Sequence, residues 1–131
     1  MKIFDCFQFF DEDMMLDLRL NILDKYVDKF VIVENLFMHS GKRKKQNFNI
    51  EKYKKFEEKI NYILVDKLPE NLVDVSKVSK NQKTNSVIDN TLKIEHNQRN
   101  KILEGLKDAN DDDLILISDV DEIPQLNNIK S

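Results

Sequence analysis

Phe30-Val31-Ile32-Val33 is a run of β-branched and aromatic residues with no polar residue among them. Such side chains fit a pleated strand. The lack of alternation means that both faces of that strand must be covered, as in a parallel sheet. Three more segments read as strands: Ile3 to Phe10, Tyr62-Ile63-Leu64-Val65 and Leu114-Ile115-Leu116-Ile117. Between the first two, Asp11-Glu12-Asp13 can cap a helix and meet its positive end. Met14, Met15, Leu18, Leu20, Ile22 and Leu23 then predict a helix to about Lys25. Ile50 to Lys59 reads as a charged surface helix, and Thr91 to Asp108 as a helix with Ile94, Ile102, Leu103 and Leu106 apolar. Gly105 costs that helix some stability. Leu68 to Asn90 is weakly patterned and is expected to be a loop or short irregular pieces. The order β-α-β-α-β-(loop)-α-β predicts an α/β layer fold with a mostly parallel sheet.

Composition narrows the function classes. The 131 residues suit one domain, and a hydrophobic content of 40% is enough for a core. Lys+Arg 21 against Asp+Glu 24 leaves a net charge of -3, which speaks against a nucleic-acid partner. The single cysteine, Cys6, excludes an internal disulfide framework and a Cys-rich zinc site. Cys6 itself is expected to be a buried small hydrophobe. No apolar stretch approaches the roughly 20 residues of a membrane helix, and the start at Met1 to Cys6 lacks the apolar run and small-residue cleavage site expected of a signal peptide. The expected setting is cytoplasmic. With only Gly41 and Gly105, a glycine-rich phosphate loop is excluded. Lysine far outnumbers arginine, so Arg19, Arg43 and Arg99 draw notice.

Ligands of parallel sheets bind beyond the carboxyl ends of the strands. That rule directs attention to Asp11, Glu12, Glu34, Asp66 and above all Asp119 and Asp121. Two aspartates one residue apart, just past a buried strand, form a hard oxygen-only site for Mg2+ or Mn2+ shared with substrate phosphates. The bland alternative is a strand end facing water. From Arg99 to Asp108 a helix climbs about 14 Å at 1.5 Å per residue. The strand from Asp113 to Asp119 returns about 20 Å at 3.3 Å per residue. Arg99 is therefore expected level with Asp119 and Asp121, on the helix face of Ile102 and Leu106 and pointing toward the sheet. There it could hold a phosphate; alternatively it pairs with Glu95 on the surface.

Several stretches together resemble glycosyltransferase family 17. They are Phe4-Asp5-Cys6-Phe7, Asp11-Glu12, Leu18-Arg19-Leu20-Asn21, Val31-Ile32-Val33-Glu34, Ser40-Gly41-Lys42, Asn97-Gln98-Arg99-Asn100 and Asp112 to Pro124. This is the family of the β-1,4-mannosyl-glycoprotein 4-β-N-acetylglucosaminyltransferases. The matches fall in order along nearly the whole chain and are weakest from Leu68 to Lys93. The resemblance implies a GT-A-type, Rossmann-like nucleotide-sugar fold, a UDP-sugar donor, a glycan acceptor and inverting transfer. It implies that Asp119 and Asp121 are a DxD motif binding donor phosphates through Mn2+ or Mg2+. Arg99 and Asn100 would lie near the donor, Glu34 near the nucleoside and Lys42 near the diphosphate. Members continue beyond Pro124. Residues 1–124 would then be the nucleotide-sugar-binding part and 125–131 a tail, with the general base outside this chain. A second chain or an oligomer would complete the fold, and a cut sheet would leave an unpaired edge.

Two rivals remain at this level. A haloacid-dehalogenase-type phosphatase also places Asp-x-Asp after an apolar strand, but its first Asp lies near the N-terminus, whereas Asp119 lies 12 residues from the end. A nucleotide-sugar-binding remnant or interaction module would keep the sheet without the chemistry. His39 and His96 read as ordinary polar residues, Lys42-Arg43-Lys44-Lys45 as a solvated loop, and Asp111-Asp112-Asp113 as a turn without the marks of a calcium loop.

Overall fold

In the computed structural model, which describes residues 1–38 and 40–127, four parallel strands form one sheet in the order β3-β2-β1-β4. They are β1 (Ile3–Phe9), β2 (Lys29–Asn35), β3 (Ile60–Val65) and β4 (Leu114–Ile117). Cys6 lies opposite Val31 on one side and Ile117 on the other, and Phe30 lies opposite Ile60. The α/β architecture with a parallel sheet is the expected one. The non-alternating runs are explained by two cores, one on each face. Ile3, Phe7, Phe9, Phe30 and Ile32 pack with Leu16, Leu20 and Leu23 of helix α1 (Asp13–Leu23). Phe4, Cys6, Val31 and Val33 turn the other way and pack with Ile102. β3 and β4 are the edges, where Leu64 and Ile117 are exposed.

The connections differ from expectation in three places. At the start of α1 no side chain caps the helix; the Glu12 carboxylate instead accepts from the Phe10 and Asp11 amides, tying the turn to the strand end. Ile50–Lys59 is not an α-helix but two 3₁₀ pieces broken at Tyr53. Tyr53 and Phe56, three residues apart, are its buried residues, and a three-residue repeat puts both on one side. Third, Thr91 does not begin a helix. Helix α2 runs from Lys80 to Asn100 and continues as a 3₁₀ segment, Lys101–Leu106. Its first half buries no residue, and Val87 and Ile88 are exposed, so periodicity carried no signal there. The tight second segment places Gly105 directly on Val31 of β2. No helix among the described residues is long and apolar enough to cross a membrane.

Candidate functional site

Because all four strands are parallel, Phe9, Asn35, Val65 and Ile117 end at the same edge of the sheet. Beyond β4 the chain turns through Ser118-Asp119-Val120-Asp121-Glu122, and Arg19 bonds to that turn. Arg19 projects from the α1 face that also carries Leu16, Leu20 and Leu23 and is wholly buried. Its Nε and Nη2 donate to the two carboxylate oxygens of Asp5 at 2.8 and 2.7 Å, a bidentate pair inside β1. Nη2 also donates to Ser118 Oγ at 2.6 Å. Nη1 donates to the carbonyls of Asp119 at 2.7 Å, Val120 at 3.2 Å and Glu122 at 2.9 Å. Glu122 closes the turn: its amide donates to the Asp119 carbonyl at 2.9 Å, and its carboxylate accepts from the Asp119 amide at 3.0 Å. Val120 is buried in the α1-side core, while Asp119 and Asp121 are exposed.

Asp119 shares a polar cleft of about 200 Å³ with Arg99, Gln8, Ser118 and Glu122. Arg99 thus stands level with the acidic turn. It does not point at the sheet, however: Ile94, Gln98 and Ile102 are the buried residues there. Arg99 lies beside them, about half exposed, and bonds Glu95 at 3.3 Å. At the expected level of the acidic turn, the surface pairing with Glu95 is the arrangement observed for Arg99. Asn100, the last residue of α2, is exposed next to it. Asp121 is exposed in the turn but does not line the cleft.

A second hollow, of about 370 Å³, opens over the ends of β1 and β2. Phe9, Phe10, Phe37 and Met38 give it apolar walls, and Asn35, Ser40 and Gln98 are its polar lining residues. Both amides are more than nine-tenths buried. The Asn35 Oδ1 accepts from the Phe37 amide at 2.9 Å, and the Gln98 Nε2 donates to the Val33 carbonyl at 3.4 Å. These backbone partners fix which way each amide is turned. Among the described residues no bond is found for Asn35 Nδ2 or Gln98 Oε1, and no buried side-chain polar atom is left unpartnered. The hollow and the cleft have no lining residue in common, although they draw on neighbours in sequence, Gln8 and Phe9 of β1 and Gln98 and Arg99 of α2.

Glu34 is placed differently from these groups. It is fully buried at the end of β2 and accepts four hydrogen bonds. The donors are Lys44 Nζ, the Asn47 and Phe48 amides, and the Tyr62 hydroxyl. Its carboxylate thereby ties the loop after β2 to β3. Burial, then the bond to Glu34, pushes the Tyr62 hydroxyl well above the usual tyrosine range. The basic run is accordingly more than a solvated loop: Lys44 is a buried ion-pair partner, and Arg43 lies over the Phe37 ring. Lys42 is exposed in the same loop, with its carbonyl accepting from the Met38 amide at 2.7 Å. His39 lies outside the described residues, and His96 is exposed. Cys6 is buried, and burial ahead of the Asp5 charge pushes its thiol up to about 12.

Sequence reasoning passed over Asp5, Arg19, Asn35 and Gln98 as site residues. The available signal was positional. Arg19 stands in the apolar stripe of α1 and Asp5 in an apolar strand.

No group of three or more His, Cys, Asp or Glu suited to a metal is found among the described residues. The residues that could hold a cation at this edge are two exposed carboxylates, Asp119 and Asp121. That suits a cation which keeps water or phosphate oxygens on its remaining positions and does not suit a caged structural ion.

Compared with known proteins, the chain matches the family model described as Glycosyltransferase family 17 over residues 1–131. No curated protein and no solved structure matches it.

Proposed function

The chain belongs to glycosyltransferase family 17, and from that premise we propose that it binds a UDP-sugar along the carboxyl edge of its sheet. The sugar would be N-acetylglucosamine, passed with inversion to a hydroxyl of a glycan in a GT-A-type site. The observation that carries this reading is a pair of unlike hollows at the carboxyl ends of the strands. An aromatic one with a donor and an acceptor suits a nucleobase, and a polar one with Arg99 and Asp119 suits a diphosphate. Bases stack on aromatic side chains for about 1–3 kcal/mol each. Asn35 Nδ2 can donate to a carbonyl of uracil while Gln98 Oε1 accepts from its N–H. Arg99, released from Glu95, can turn its guanidinium fork onto phosphate oxygens.

Asp119 and Asp121 would hold Mn2+ or Mg2+. When bound, the metal offsets diphosphate charge and stabilises UDP as the leaving group. Asn100 and Lys42 are further polar groups on the donor side of this reading. Glu34 contributes by fixing the loop that carries Phe37 and Met38, since its four partners occupy the carboxylate.

Calorimetry with UDP, with and without Mn2+, tests the proposal. We expect binding that tightens at least tenfold with Mn2+, and loss of that gain in Asp119→Ala/Asp121→Ala. Equal binding by the double variant would refute the metal assignment. A transfer assay with UDP-N-acetylglucosamine separates an enzyme from a binding remnant, and a phosphomonoesterase assay abolished by Asp119→Asn would favour the phosphatase.

A further inference from the structure

We propose that Arg19, clamped by Asp5, is a positioning residue for the acidic turn, holding it in the shape that presents Asp119 and Asp121 outward. The inference rests on the nucleotide-sugar reading for what the turn binds, but not for how the turn is held. Arginine has five N–H donors in a rigid fork. Here two go to Asp5, and the rest are shared among Ser118 Oγ and the carbonyls of Asp119, Val120 and Glu122. Three carbonyls of one short turn thus converge on one guanidinium. With those carbonyls drawn inward and Val120 seated in the core, the two aspartate side chains are left facing water. The Asp119, Val120 and Glu122 carbonyls are thereby engaged by the guanidinium, which leaves the Asp119 and Asp121 carboxylates for a cation.

A purely structural role for Arg19 would be met by the Asp5 bond alone, which joins α1 to β1. The bonds to the turn exceed that need, and they link residues about a hundred positions apart. Lysine cannot substitute geometrically: one nitrogen with three donors cannot span the Asp5 carboxylate and a ring of carbonyls. The pair is also near neutral. Its effect on Asp119 and Asp121 is therefore one of shape, with charge a smaller part.

The test uses the full chain and the Arg19→Lys variant, with two readouts. The first is amide hydrogen exchange across residues 118–122 without ligand; the second is UDP titration with and without Mn2+. We expect the Asp119 and Glu122 amides to exchange at least tenfold faster in Arg19→Lys while β1 and β2 keep their protection. We also expect the Mn2+-dependent gain in UDP affinity to fall at least tenfold, with uridine binding unchanged. A turn that stays protected, or one that loosens while the Mn2+-dependent gain is retained, overturns the inference. Should Arg19→Lys not fold, Ser118→Ala removes the hydroxyl that accepts from Arg19 and donates to the Glu122 carbonyl at 3.3 Å, and leaves the buried pair intact. It should move both readouts two- to fivefold, and wild-type behaviour in both would overturn the inference. If the wild type takes up no UDP with or without Mn2+, the nucleotide-sugar reading fails instead, and the exchange readout still decides whether Arg19 holds the turn.

Discussion

Replacing Gly105 by alanine sets two effects of opposite sign against each other. Glycine within a helical segment costs about 1 kcal/mol relative to alanine, so on propensity alone the substitution stabilises. The packing argues otherwise. A Cβ at position 105 would come closer than 3.0 Å to Val31 Cγ1 and stand 3.1 Å from Val31 Cγ2 and Ile63 Cδ1. Val31 is wholly buried in a central strand, and its branched side chain has few rotamers to retreat into. The 3₁₀ segment is also tethered, because Asn61 Nδ2 donates to the Gly105 carbonyl at 3.1 Å. Overpacking of a well-filled core costs about 1–3 kcal/mol. Two clashing methyls on a strand that cannot move place this site in the upper part of that range. The net expectation is destabilisation by about 1–2 kcal/mol, a fall in Tm of roughly 3–8 °C. Thermal and urea unfolding measured together would show it, with the m-value unchanged if the native state keeps its compactness. Val31→Ala in the same chain removes the colliding methyls. The double variant should then be more stable than the sum of the single effects by at least about 1 kcal/mol. A neutral or stabilised Gly105→Ala, or strict additivity in the cycle, would refute the close-approach argument.

Glu34→Ala should cost about 3–5 kcal/mol, since it strands Lys44 and three further donors in a buried site. Glu34→Gln should cost less and should let Tyr62 titrate closer to its ordinary range, read by ultraviolet absorbance. Stability should decline in alkali. Cys6, Tyr53 and Tyr62 all have pKa values raised in the folded state, chiefly by burial. Above the ordinary values of 9.0 and 10.0 the unfolded chain therefore binds fewer protons than the native one. Their contribution is complete below about pH 9 and is lost as pH rises through the folded values. Denaturant midpoints measured from pH 8 to 11 should fall steadily, and a flat profile would contradict the burial of these groups. By the same token Cys6 should resist a thiol reagent at pH 8 in the native state and react once the chain unfolds.

What could be read in advance depended on the range over which each feature is encoded. The strands were legible because burial on both faces leaves a continuous apolar run, as in Phe30-Val31-Ile32-Val33. The first half of α2 was not, since a helix that buries no residue has no periodicity to detect. The 3₁₀ form of Ile50–Lys59 was hidden for a related reason. A ten-residue segment with two inward aromatics fits either helix, and the bond from Tyr53 to the Asp13 carboxylate at 2.7 Å is a long-range contact that the segment's own pattern does not encode. Asp119 and Asp121 were visible as an acidic pair past a strand, but the shape of their turn was not, because its bonds come from Arg19 across the fold. Yet Arg19 and Asp5 left a trace. Each is a charged residue at a position that the surrounding pattern reserves for an apolar one, Arg19 between Leu16 and Leu20 and Asp5 between Phe4 and Cys6. A single buried charge is too costly to be retained without a partner. Two such misfits of opposite sign, in elements that must pack on one another, are therefore a pairing signal in themselves. Reading them jointly would have placed a guanidinium beneath β1, and a guanidinium with donors left over calls for carbonyls. In a parallel sheet the nearest irregular backbone is the turn after the neighbouring strand, here the acidic one.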